Sequence, residues 1–422
     1  MLDGIVTVIL ATTFLSPVLQ GYYYTFYSLL MIQSFLEMGF GMVFIQFAVH
    51  EWAFLRLTEG GRIEGEQIHK ARLADALKLA GKWYVGLAIS FWALASFGGI
   101  WFLSQRSGGR IAYVSPWLLL VATSGLMIIL TGYRNYLEGT NRVKKSYEVL
   151  LKATIPSSLA MWISLASGAG LYSPAIAGFV MASGVFLQSS SDWKTISEIL
   201  HFSTGEKAIR WATEFWPFQW RIALSWISGF LMYQSFVPIS FKLMGPEPAG
   251  KIGATMQLFQ GANSTSQVWL YASSPKFGMA VARNEFSTAR KLISSITVRS
   301  VITASVVGTL AVLLYLIAWQ SGVKQAARFA GPLGVGVVML AALLLQPIAV
   351  ETYAVRAQKK EPFLVNSLVT ALLMGTANYL VAKTGNVDEL LLSFLIIVPG
   401  VSGMWCHLIF RRYFPNLVVT PK

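Results

Sequence analysis

The chain has 422 residues, of which 55% are hydrophobic and 12% charged, with a formal charge of +14. A soluble domain uses roughly twice that share of charge. Apolar runs of about 17–25 residues recur along the whole length, so the sequence describes a polytopic, all-α membrane protein. No tract alternates like a porin strand, which excludes a β-barrel. The single cysteine, Cys406, excludes an internal disulfide and a Cys-based metal or redox centre.

Twelve spans are expected, near 1–17, 22–49, 81–103, 112–132, 147–170, 173–191, 216–240, 250–274, 295–319, 330–354, 363–382 and 388–410. The first, "MLDGIVTVILATTFLSP", has an acidic rather than basic start and no small-residue cleavage site. It reads as a short membrane helix and not as a signal peptide. Its rise is about 24 Å, short of a bilayer core. It is either a helix tilted into a bundle or one whose start lies upstream.

Charge orients the spans. Of the 33 Lys and Arg residues, 26 fall in the loops after the even-numbered spans and in the C-terminal tail. Seven fall on the other side: Arg106, Arg110, Lys242, Lys251, Lys324, Arg328 and Lys383. The split puts both termini in the cytoplasm. It also accounts for the positive charge through anionic headgroups and leaves no basic module for nucleic acid.

Span two, "FYSLLMIQSFLEMGFGMVFIQFAVHEW", carries Glu37 near its middle, with Gln33 one turn earlier on the same face. An acidic side chain at that depth costs roughly 3 kcal/mol on insertion scales. Two readings stay open: a proton- or ion-coupling carboxylate that also contacts substrate hydroxyls, or a neutral acid locking two helices. His50 and Glu51 close the span and read as caps rather than metal ligands. Residues 53–80 follow, with the amphipathic pattern "IHKARLADALKLAGKW" expected as a helix lying in the interface. "GYRNYLEG" offers Arg134 at the membrane boundary. "SLASGAG" and "AGFVMASGV", in spans five and six, look like small-residue helix seams.

The polar stretch 192–218 divides the chain into lobes of six spans each, 1–208 and 209–422. Just inside span seven lies Arg221, suited either to snorkel to the cytoplasmic interface or to meet a phosphate. Span eight presents Gln257, Gln260, Ser264, Gln267 and Tyr271 at spacings of one helical stripe. Such a face suits a wet cleft and sugar hydroxyls, or interhelical amide bonds. Glu351 in span ten lies near the same side as Arg221 and is a candidate partner for it.

The halves echo each other. "SPVLQG" turns the chain at Pro17–Gly21 and "GPEPAG" turns it at Pro246–Gly250, each ahead of a span and a basic amphipathic segment. An even number of spans per half makes these parallel repeats. No nucleotide-binding, metalloprotease or hydrolase motif accompanies them, and no cofactor is expected.

"LSPVLQGYYYTFYSLLMIQSFLEMGFGMVFIQFAVHEW", "WPFQWRIALSWISGF" and "GPEPAGKIGATMQL" resemble the multidrug/oligosaccharidyl-lipid/polysaccharide (MOP) exporter superfamily, in its polysaccharide/O-antigen flippase branch. The resemblance implies the MATE-like two-lobed fold in a bacterial inner membrane. It implies alternating access that moves an undecaprenyl-diphosphate-linked glycan toward the periplasm for lipopolysaccharide assembly. Membrane lipids, a polysaccharide polymerase and glycosyltransferases are the implied partners. Flippases of this kind hold the diphosphate with basic residues. Here the first two spans contain no Lys or Arg, leaving Arg221 and Arg134 as candidates. The alternatives are a cation-coupled small-molecule exporter of the same fold and, less well matched, a membrane enzyme acting on lipid-linked sugar.

Overall fold

A computed structural model describes residues 2–58, 63–106, 111–202, 211–282, 285–357 and 362–414. Among them, eight helices are long and apolar enough to cross a membrane, or nine when one bent pair counts as a single span. Contacts gather the chain into two compact units, Leu29–Ile227 and Met1–Ser28 with Ser228–Lys422. The division falls inside a helix, downstream of the polar stretch, and the first 28 residues cluster with the C-terminal part.

Helix α1 (Leu2–Phe14) leads to α2 (Pro17–Leu30), which opens on a proline. The ring fixes φ, and the missing N–H is one the first turn cannot use. Two short helices continue the path, α3 (Ile32–Glu37) and α4 (Phe40–Trp52). Between them Met38 and Gly39 take φ of 52° and 69°, and the axis bends by 46°. Glycine reaches that region at no steric cost, but methionine does not, so Met38 stores about 1–3 kcal/mol of strain. The apolar run expected as one span is therefore broken immediately after Glu37.

The Leu29–Ile227 unit continues through an antiparallel ribbon, β1 (Leu55–Leu57) and β2 (Ile63–Gly65). Next comes α5 (Gln67–Ser104), 38 residues and about 57 Å long. The amphipathic segment expected in the interface plane is the first part of this helix. It contains no proline, and its lone Gly81 does not stop it, so it runs straight into span three. Helices α6 (Val114–Gly139), α7 (Val143–Ala166) and α8 (Ser173–Ser189) complete a packed group. A seam does form along α8: a Cβ on Gly184 would stand 3.0 Å from Ala153, and one on Gly178 would stand 2.7 Å from Thr123. "SLASGAG" instead ends α7, with Gly168 and Gly170 both at positive φ. The amphipathic α9 (Trp193–His201), then α10 (Trp211–Glu214) and α11 (Trp216–Tyr233), follow.

In the other unit, α12 (Phe236–Leu243) precedes α13 (Pro246–Ser266), which also opens on a proline, and α14 (Val268–Ala282). The helix starting at Pro246 is interrupted after 21 residues, as is the stretch Pro17–Glu37. Long α15 (Phe286–Gln320) and α16 (Pro332–Arg356) pack on α13. Helices α17 (Leu364–Ala382), α18 (Val387–Leu395) and α19 (Gly403–Tyr413) close the unit, the last two joined by a π-helical turn around Pro399. Its core is aromatic, with Phe394 edge-on to Tyr233, Phe236 and Phe259 at 5.2–5.9 Å between centroids.

Candidate functional site

The bend after α3 positions Glu37. The Tyr84 hydroxyl on α5 donates to Glu37 Oε1 at 3.2 Å, and Asn135 Nδ2 on α6 donates to the Tyr84 oxygen at 2.5 Å. The Gly41 N–H donates to the same carboxylate from the first turn of α4. All three side chains crowd over Gly41, where a Cβ would lie 2.5 Å from Asn135 Nδ2, 2.8 Å from Glu37 Oε1 and 2.9 Å from the Tyr84 oxygen. Tyr84 and Asn135 are buried while Glu37 is half-buried. The carboxylate is thus held on one side by neutral donors and open on the other. Among the described residues no cation pairs with it. Gln33 lies on α3, half-buried, and makes no hydrogen bond to Glu37 there.

Phe40, the first residue after the bend, is fully buried against Trp83, Tyr84 and Phe215, at centroid distances of 4.9–5.8 Å. The bend beside Glu37 is therefore in packing contact with the residue that leads into α11.

At the far end of α4, Glu51 is not a simple cap. It is 2% exposed and accepts from His69 Nδ1 at 2.6 Å and from Arg72 Nε at 2.9 Å. Arg72 reaches on to Glu214 at 2.7 Å. His50 lies beside Glu51, itself largely exposed. Arg134 pairs with Glu138 on its own helix at 3.4 Å. Nearby, Asp192 gathers Tyr133, Arg142 and Lys145. Such pairs tie helix ends together, while Arg134 Nε and Arg142 Nη1 stay buried without a hydrogen-bond partner.

In the other unit the stripe on α13 and α14 takes a specific form. Gln267 sits at the break between these helices; it accepts from the Tyr271 hydroxyl at 3.1 Å and donates to Asn263 Oδ1 at 3.1 Å. Gln346 on α16, 1% exposed, donates to the same Asn263 oxygen at 3.1 Å, and its Oε1 has no partner. Gln257 and Ser264 are exposed, and Gln260 is half-buried, one to three turns before Gln267. Glu351 pairs with His407 on α19 at 2.8 Å. The side chain of Arg221, on α11, lies outside the described residues. Among the described residues no cluster of three His, Cys, Asp or Glu side chains could hold a metal.

No protein-family model matches the sequence, and no curated protein does. Solved structures match nearly end to end. An inward-facing multidrug resistance MATE family transporter of the MOP superfamily superposes with a TM-score of 0.68 over 98% of this chain and 94% of its own, at 12% identity. The chain has the MATE transporter fold. The lipid II flippase MurJ, in an inward closed conformation, gives 0.63 over 99% and 89% at 14% identity. A MOP superfamily transporter from Pyrococcus furiosus gives 0.57 over 99% and 93% at 11% identity. Identities this low carry the MATE-like fold and no substrate.

Proposed function

We propose that the chain is an alternating-access flippase rather than an enzyme. Its cargo on this reading is a lipid-linked oligosaccharide of the undecaprenyl-diphosphate class, crossing a bacterial inner membrane for cell-surface polysaccharide assembly. The observation that carries the reading is the uncharged relay Tyr271–Gln267–Asn263–Gln346. Amides and a phenol supply donors and acceptors without fixed charge, which is what sugar hydroxyls require. Gln257, Gln260 and Ser264 extend the same face. Arg221 and Arg134 are the diphosphate contacts on this reading, with Arg134 already engaged by Glu138.

Glu37 takes the coupling role, with Gln33 beside it. A carboxylate held by two neutral donors at a bent, strained break is suited to exchange a proton or bind a cation as the helix straightens. That feature equally supports a second reading, a cation-coupled small-molecule exporter. Twelve spans in lobes 1–208 and 209–422, both termini cytoplasmic, with lipids, polymerase and glycosyltransferases as partners, complete the proposal. The test is transport in proteoliposomes. A fluorescent lipid-linked oligosaccharide should be flipped, and Gln346→Ala and Gln267→Ala should slow it about tenfold. Export of organic cations with no flipping would decide for the second reading.

A further inference from the structure

The first turns of α2 and α13, opened by Pro17 and Pro246, meet at a cavity of about 200 Å³ lined by Pro17, Gln20, Glu247, Lys251, Ala327 and Arg328. It is separate from both the Glu37 site and the amide relay. Gln20, 1% exposed, forms a fixed wall: its Nε2 donates to the carbonyls of Gly250 and Arg328, each at 3.0 Å. Its Oε1 is buried with no partner. Arg328 Nη1 is also buried with no partner, and among the described residues no carboxylate forms an ion pair with Arg328. Lys251 meets Glu247 at 3.7 Å, with both side chains partly exposed. Two cations and one carboxylate thus line a space several water molecules in size, at about 30 Å³ each.

That combination wants an anion larger than a halide. A guanidinium fork and an ammonium suit a tetrahedral oxyanion, Arg328 supplying paired N–H donors and Lys251 a point charge. We propose that this cavity binds a phosphate oxyanion, presented by a lipid headgroup or free in solution. On the topology proposed above it opens on the extracytoplasmic side. Lys251 and Arg328 are then two of the seven cations placed there, brought together from chain segments 77 residues apart. A site at the meeting point of the two turns would also let the bound anion brace the repeat junction.

Isothermal titration of the purified full-length protein in detergent tests this, using inorganic phosphate and dihexanoyl phosphatidylglycerol as probes and dihexanoyl phosphatidylcholine as the control. Saturable binding of phosphate assigns the free anion; binding of the glycerol lipid alone, without the choline lipid, assigns the headgroup. Arg328→Gln should weaken binding at least tenfold, and Lys251→Gln several-fold. Glu247→Gln should tighten it several-fold by removing the competing carboxylate, a gain that a merely structural role does not give. Should Arg328→Gln fail to fold, the two partly exposed positions carry the test. No saturable binding of either probe, or binding indifferent to Lys251→Gln and Glu247→Gln, overturns the proposal.

Discussion

Gly21 and Gly250 pack backbone against backbone. A Cβ added to Gly21 would lie 1.9 Å from the Pro246 carbonyl oxygen, and one on Gly250 would lie 2.9 Å from the Gly21 nitrogen. Neither obstacle is a side chain that can rotate away. Over-packing a core costs about 1–3 kcal/mol when neighbours can adjust. Gly21→Ala should exceed that range and Gly250→Ala should cost less. Gly336→Ala, on α16 with open space around its Cβ, should be neutral or stabilising, because alanine is the better helix former. Thermal aggregation of the detergent-solubilised variants, followed by size-exclusion chromatography, ranks the three. Equal melting for Gly21→Ala and Gly336→Ala would contradict the contact.

The polar set over Gly41 makes a second prediction. Glu37→Gln keeps the shape and the hydrogen bond from Tyr84 but removes the titratable group, so transport should fall at least tenfold with normal yield of folded protein. Tyr84→Phe removes two hydrogen bonds of about 1 kcal/mol each, one to Glu37 and one from Asn135, and should give an intermediate loss. Gly41→Ala should resemble Glu37→Gln in transport, because its Cβ displaces all three side chains at once. Undiminished flipping by Glu37→Gln in proteoliposomes removes the coupling role.

Glu37 is legible in the sequence because an acid amid apolar residues is an anomaly in one dimension. Its partners are not: Tyr84 is 47 residues away, and Asn135 is 51 residues beyond that. Asn135 does stand next to Arg134 in a stretch that draws attention for its arginine, and the amide beside it proves the closer neighbour of Glu37. The bend is hidden for a different reason. Methionine has no preference for the left-handed region, so Gly39 alone hints at a break and nothing marks Met38. Strands of three residues carry no readable alternation, which conceals the β1–β2 ribbon. The Pro17–Gly21 and Pro246–Gly250 echo, by contrast, is a composition signal at fixed spacing; both segments, expected as turns, are the first turns of α2 and α13, and they are in direct contact.

Glu51 offers a stability test outside the transport chemistry. Removing one partner of a buried ion pair costs about 3–5 kcal/mol, since the other charge is left unpaired. Glu51→Ala should reach only the lower end of that range, because His69 loses its acceptor while Arg72 retains Glu214. Arg72→Ala, at a position 27% exposed, should cost less. The double variant should cost less than the two added together, and a thermal-melt cycle reads the difference. Simple additivity would show that the contact contributes nothing to folding.

Cysteine labelling tests the face on α13 and α14. With Cys406 replaced by alanine, Cys at Gln257, Gln260 or Gln267 should react with a membrane-impermeant maleimide. Cys at Val306 or Leu310, outward-facing apolar positions on α15 that are 61% and 55% exposed, should react only with a lipid-soluble reagent. The contrast arises because a row of amides facing hydrocarbon would leave each group unsatisfied at several kcal/mol. A lipid-only pattern at all three glutamines would remove them from any aqueous path.

Topology is the prediction on which the side of the Arg328 cavity depends. The 26-to-7 division of Lys and Arg puts the 320–329 loop opposite the basic loops. Each cation moved to the wrong side would work against the same bias that orients the first spans, so an inverted chain would face it at nearly every loop. Gly322 sits in an exposed turn at φ 69°, where an inserted epitope disturbs no helix. Antibody added to spheroplasts should reach an epitope at Gly322 before permeabilisation. An epitope at the C-terminus should be reached only afterwards. Reversed access at both positions would turn the chain over and place the Lys251–Arg328 cavity on the cytoplasmic side.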